Sequence, residues 1–199
     1  MSAVVHNDNA ACCSIPAVKS DYVPKGSFKS YAGINKVYVT GQPSPSGNVS
    51  LVCVYDIFGF KPQTQQGADI LADKLNAHVI MPDFFEPADA WPVDEFPPQT
   101  DEEKGKLQHM LSSADVIELK VPLALYPSLD EPQDEYKKIS DIVSKKPFAD
   151  KNDSKVYETF HGFAAARADL NDPKQQKDFQ DVYGRLVAFF GKANGTPTH

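Results

Sequence analysis

The chain has 199 residues, 41% of them hydrophobic, with 27 acidic side chains against 20 basic ones and a formal net charge of -7. That length suits one sizeable domain or two small ones. The acidic balance argues against non-specific nucleic-acid binding, which needs a basic surface, and no run of about 18 apolar residues is present to span a membrane. The opening MSAVVHNDNAACC lacks the positive segment and apolar stretch of a secretory signal. The closing GTPTH is no peroxisomal address. Three cysteines, two of them adjacent, do not make a disulfide framework, so a reducing cytoplasm is expected.

Residues 1–35 read as an irregular segment punctuated by Pro16, Pro24, Gly26 and Gly33. KVYVT (36–40) predicts a short edge strand, and GQPSPSG after it a loop. VSLVCVY (49–55) is almost continuously apolar and β-branched, the pattern of a strand buried on both faces. After DIFGF, apolar residues recur at helical spacing at Ala68, Leu71, Ala72 and Leu75. AHVIMP (77–82) predicts a second buried strand, ended by proline. Strand, helix, strand in this order is the pattern of a parallel sheet with a crossover helix.

The acidic, proline-rich DFFEPADAWPVDEFPPQT (83–100) is too polar and broken for core. Its Trp91 and Phe96 either cover a site or pad the loop. A charged helix is expected from Thr100 or Asp101 to about Leu107, with the carboxylates at 101–103 in the first turn, where the helix dipole favours them. VPLALYP (121–127) predicts a third buried strand, Tyr136, Ile139 and Val143 an amphipathic helix, and KVYETF (155–160) a fourth strand. The last helix is announced by Asp172 as N-cap and Pro173 at the first helical position, with Phe179, Val182, Leu186, Phe189 and Phe190 on one face. The expected organisation is an irregular segment over 1–35, one α/β domain over 36–192 and a tail over 193–199, without repeats.

Ligands of open α/β sheets sit outside the carboxyl ends of the strands. Three loops at such ends carry Asp56-Ile57-Phe58-Gly59, Ser128-Leu129-Asp130-Glu131 and His161-Gly162-Phe163. An acid followed later in the chain by a histidine is the order found in α/β-hydrolases, where the nucleophile comes first. In that reading Asp130 orients the imidazole and stabilises its charged form, and His161 is the base. A histidine after a strand is also commonly a packed or exposed residue without chemistry.

VYDIFGF, PDFFEP, VPLALYPSLDEP and the HGF-AAARAD segment, with the CCSIPAV leader and the DVYGRLVAFF helix, resemble the dienelactone hydrolase family, specifically its fungal branch, over most of the chain. The resemblance implies an α/β-hydrolase-like, mostly parallel sheet with helices on both faces, and hydrolysis of a small-molecule lactone or ester through a Cys-His-Asp triad. No cofactor and no metal are expected, and, from composition, no nucleic acid and no membrane. By the same resemblance Asp130 and His161 fall on the acid and the base, and Ile57 lends its backbone N–H to the oxyanion hole. Asp56 sits where many relatives carry a glutamate that contacts the resting nucleophile. Arg167 falls as a clamp for a substrate carboxylate.

The family's nucleophile is a cysteine in a Gly-x-Cys-x-Gly context, whose glycines permit a sharp strand-to-helix turn. Neither this pattern nor Gly-x-Ser-x-Gly occurs in the sequence. Its expected place is between AHVIMP and VPLALYP, an interval without a cysteine or a buried strand. A central strand–elbow–helix unit is therefore expected to be missing, with the junction near Gln108 and His109. Cys53 reads as a small core hydrophobe inside a strand, and Cys12 and Cys13 lie in the irregular leader without histidines spaced for a metal. Ser112 and Ser113 have no glycine to support a strained turn, and His109 reads as surface. Two functions stay open: a dienelactone hydrolase-like protein left inactive by loss of its nucleophile, or a non-catalytic pseudoenzyme that binds a small molecule or a partner. The loss of a central strand also predicts marginal stability.

Overall fold

The computed structural model describes residues 16–31, 33–43, 50–86, 89–97, 100 and 121–194. In chain order the elements are β1 (Ser27–Tyr31), β2 (Ile34–Thr40), β3 (Ser50–Val52), α1 (Pro62–Leu75), β4 (His78–Pro82), β5 (Ala124–Leu125), α2 (Gln133–Val143), β6 (Asp153–Ser154) and α3 (Pro173–Asn194). The chain forms two compact units, one of Ala17–Trp91 with Gly162–His199, the other of Met1–Pro16 with Pro92–His161.

In the first of these units four strands lie in the order β1-β2-β4-β3. β1 pairs antiparallel with β2, β2 pairs antiparallel with β4, and β4 pairs parallel with β3. α1 connects the parallel pair. Its start is set by Pro62 at the first helical position. Its end is set by Asn76 in the left-handed conformation, φ 48° and ψ 45°, a routine way to satisfy the last carbonyls. Ala68, Leu71, Ala72 and Leu75 put one face of α1 onto Tyr38, Leu51, Tyr55, Val79 and Met81 of the sheet side, and Val187 of α3 completes the core. α3 begins where Asp172 Oδ1 accepts the N–H of Gln175 at 2.8 Å, an N-cap bond. Phe179, Val182 and Phe189 are buried along it.

A second buried device ties the residues before β1 to α1. The Asp69 carboxylate, 1% exposed, accepts the Tyr22 hydroxyl at 2.8 Å and the Lys25 N–H at 2.9 Å on Oδ2, and the Tyr38 hydroxyl at 2.8 Å on Oδ1. Burial, and then the bonds to Asp69, push both phenols well above the usual tyrosine range.

In the other unit, β5 and β6 pair in parallel. The ladder outruns these short strands. Asp153 donates to Leu123 O at 3.1 Å, Lys155 to Leu125 O at 3.1 Å, Tyr157 to Pro127 O at 2.8 Å and Leu129 to Tyr157 O at 3.0 Å. Two loops, 128–131 and 158–161, are thereby delivered side by side. The core of this unit is small: Phe96, Val143 and Tyr157 are its buried hydrophobics among the described residues.

Several expectations need correction. The sequence predicts a mostly parallel α/β-hydrolase sheet with helices on both faces and its central strand unit missing. The structure instead has a mixed four-stranded sheet, antiparallel at two of its three pairings, and a separate two-stranded parallel pair. The cause lies in the first 40 residues. SFKSY, wholly exposed and without alternation, still forms β1, because its backbone pairs with β2. β2, expected at the edge, becomes interior, with Val37, Tyr38, Val39 and Thr40 all buried. β3 is the edge instead. Leu51 and Tyr55 face the core while Val52 and Val54 are 61% and 72% exposed, so only one of its faces is buried. The expected charged helix, the junction at Gln108 and His109, and Ser112 and Ser113 lie outside the described residues, as do Cys12 and Cys13.

Candidate functional site

The candidate residues fall in both units, and each group is built by its own local structure. In the unit of the short parallel pair, the loop after β5 is pinned by Ser128, which forms an isolated parallel bridge with Tyr157 and is fully buried. Gln133 Nε2 donates to Ser128 O at 2.7 Å and to Glu131 O at 2.9 Å, closing the loop onto the start of α2. Opposite it, the chain leaves Tyr157 and reaches His161.

The two acids of the SLDE loop divide their work. Asp130 Oδ2 accepts the backbone N–H of His161 at 3.0 Å, and Asp130 Oδ1 accepts the Ser128 hydroxyl at 2.6 Å. The imidazole itself meets Glu131: His161 Nδ1 lies 3.0 Å from Glu131 Oε1. Tyr136 donates its hydroxyl to Glu131 Oε2, and Ser128 Oγ stands 3.2 Å from Oε1. Burial raises the Glu131 carboxyl, but hydrogen bonds from His161 and Tyr136, the charge of His161 and the Ser128 hydroxyl outweigh it, so the group rests below the ordinary glutamate value. The carboxylate that orients the ring is thus Glu131, while Asp130 fixes the backbone that carries it. The side chains of Glu131 and His161 are 11% and 28% exposed.

Glu131 was legible only as one of two adjacent acids. In SLDE the two carboxylates project differently, and choosing between them needs the turn geometry. Tyr136 and Ser128 carry no local signal for this role beyond their place five residues after and three before Glu131.

The other candidates stand in the larger unit. Asp56 Oδ1 accepts the N–H of Phe58 at 3.0 Å, and Asp56 O accepts the N–H of Gly59 at 3.0 Å, where φ is +71°. This tight turn follows the carboxyl end of β3. Ile57, 9% exposed, gives its carbonyl to the N–H of Trp91 at 2.8 Å, and its own N–H has no acceptor among the described residues. Arg167 is 2% exposed and its guanidinium stacks 5.0 Å over the Phe58 ring. Gly162, φ +84°, is needed beside it, because a Cβ there would come within 2.9 Å of Arg167 Nη1. The guanidinium is turned onto the Phe58 ring rather than offered to solvent. A cavity of about 280 Å³ lined by Lys36, Tyr55, Phe58, Phe60, Asp83 and Asp89 opens beside the turn. Trp91 and Phe96 are both buried.

Cys53 packs against the core of the larger unit, and burial pushes its thiol up to about 11. At neutral pH almost none of it is thiolate. Among the described residues no group of three or more His, Cys, Asp or Glu side chains is placed to hold a metal ion, and no helix is long and apolar enough to cross a membrane.

What the site defines as a class is a histidine–carboxylate pair on loops at the ends of two parallel strands. Among curated proteins the chain is similar to an uncharacterized AIM2 family protein of Schizosaccharomyces pombe, with 25% identity over 249 residues, spanning 91% of this chain and 98% of that protein. The aligned stretch is longer than this chain's 199 residues, so the yeast protein holds residues inside it that have no counterpart here. No family model and no solved structure matches the chain.

Proposed function

We propose that the chain is a dienelactone hydrolase-like protein that keeps the proton-handling half of a lactone or ester hydrolase and lacks the attacking half. The observation that carries this reading is the 3.0 Å approach of His161 Nδ1 to Glu131 Oε1, with Asp130 holding the His161 backbone. A carboxylate on Nδ1 keeps the ring proton there and puts the lone pair on Nε2, as a general base requires. Glu131 then performs the acid's role and Asp130 supports it.

Hydrolysis by this route next needs a thiol or hydroxyl to attack. Cys53 is protonated and packed. Ser128 is fully buried and its hydroxyl donates its hydrogen bond to Asp130 Oδ1. The residues that the yeast relative has and this chain does not are in keeping with a lost nucleophile. Without one, rates fall by several orders of magnitude. The partner in this reading is a small lactone or ester, with no nucleic acid, in a reducing cytosol.

The test is turnover of dihydrocoumarin and p-nitrophenyl acetate by the purified full chain, before and after iodoacetamide. No alkylation-sensitive turnover is expected. Turnover that alkylation abolishes overturns the reading. A second reading, binding without turnover, is favoured by the partial exposure of the His161 ring. It requires a melting temperature that rises with added lactone, and a transition that never moves removes it.

A further inference from the structure

The sheet of the larger unit has two edges, and the sequence treats them differently. β1 forms one edge. It carries Lys29 at its centre, and its register with β2 shifts between Lys29 and Tyr31. A charge and an irregularity are the usual devices that keep an edge strand from pairing with another chain. β3 forms the other edge and has neither. Its stretch VSLVCVY (49–55) holds no charged residue, no proline and no glycine, in a chain whose net charge is -7.

The backbone of β3 also has hydrogen-bonding capacity to spare. Cys53 donates its N–H to Ile80 O at 2.9 Å, which carries the ladder with β4 one residue past the strand. Backbone groups alternate sides along a strand, so those of Val52 and Val54 point away from β4. Neither residue has a hydrogen bond outside that ladder among the described residues. The side chains at the same two positions are 61% and 72% exposed, while Leu51, Cys53 and Tyr55 pack on the core. An edge with open donors and acceptors, flanked by exposed valines, is a template for one more strand.

The occupant that fits this edge is a second β3. With a two-fold axis at Cys53, antiparallel pairing sets Val52 of each copy opposite Val54 of the other, and both residues of each pair exchange their N–H and C=O groups. The valines of the two copies then meet as cross-strand neighbours on one outer face. The lack of charge decides in favour of self-pairing, because a charged residue here would meet its own copy across the axis and oppose the contact. We propose that two copies of this chain associate edge to edge through β3, joining their four-stranded sheets into one continuous sheet. The contact is far smaller than the roughly 800 Å² per partner of a stable interface, so the dimer is weak and reversible. It is independent of the His161–Glu131 pair and of any hydrolysis.

The test is sedimentation equilibrium of the full chain under reducing conditions, over concentrations from about 5 to about 500 µM. A monomer–dimer equilibrium with a Kd on the order of 100 µM is expected. Val52→Lys and Val54→Lys are each expected to weaken it at least tenfold, since both place ammonium groups close together across the axis. Both positions are exposed, so the variants are expected to keep the wild-type circular dichroism and urea midpoint. Lys29→Ala, on the opposite edge of the sheet, is expected to leave the Kd unchanged. A chain that stays monomeric throughout, a dimer whose Kd is unchanged in Val54→Lys, or species larger than a dimer that grow with concentration each overturns the proposal.

Discussion

Replacing Asp69 by alanine removes the acceptor of three hydrogen bonds at once, from Tyr22, Lys25 and Tyr38. Hydrogen bonds to a charged group contribute about 1.5–3 kcal/mol each, but these three share one carboxylate and do not add in full. Tyr38, 1% exposed, keeps the N–H of Gly26 and the hydrogen bond with the Thr40 side chain, but loses the carboxylate that accepts its own proton. The expected cost is about 3–5 kcal/mol, the range for stripping one partner from a buried charged network and a large share of an ordinary domain's stability. Asp69→Asn retains one carbonyl oxygen and is expected to cost about half as much. Trp91, the single tryptophan and buried in the same unit, reports on that unit in urea titrations followed by fluorescence. A loss below about 1 kcal/mol for Asp69→Ala would refute the claim that this network ties the residues before β1 to α1.

Gly67 and Gly184 are interior positions of α1 and α3, where alanine ordinarily stabilises by about 0.5–1 kcal/mol. A Cβ at Gly67 would sit 2.0 Å from Tyr183 Cζ, whereas one at Gly184 meets nothing within 4 Å. Gly67→Ala is therefore expected to destabilise by about 2 kcal/mol or more, and Gly184→Ala to stabilise; the same sign for both in urea titration contradicts the α1–α3 packing. The Glu131 carboxyl rests below its ordinary value in the folded chain, so its contribution is complete above the ordinary glutamate range and is lost as the pH falls through the lowered value. Wild type is expected to lose stability on acidification below about pH 4.3 in a step that Glu131→Gln lacks, read by circular dichroism; superimposable acid profiles contradict the pairing with His161.

Much of the helical structure was legible because it rests on local rules. The Asp172-Pro173 start of α3 and the 68/71/72/75 stripe of α1 are set by neighbours three and four residues away. The sheet was not, because pairing direction is decided by backbone groups that leave no side-chain pattern. SFKSY reads as loop and is a strand; VSLVCVY reads as buried on both faces and lies at an edge with two exposed valines. KVYETF reads as a strand, yet β6 is Asp153–Ser154, and Tyr157 joins the ladder only through a bridge. At the site, the loops and His161 were legible from their position after apolar runs. That Glu131 rather than Asp130 meets the imidazole was not, since the sequence places both acids at nearly the same point and only the turn from Ser128 to Gln133 separates them.

The claim at the centre of the proposed function is a histidine with carboxylate support and no nucleophile to serve. Intact-mass spectrometry of the full chain mixed with excess p-nitrophenyl acetate tests it most directly, because an acyl-enzyme is a covalent record of attack. The expected spectrum shows only slow, scattered acetylation, at the same rate in His161→Ala. A single stoichiometric acetyl group on one cysteine or serine, formed quickly in wild type and absent in His161→Ala, contradicts the account.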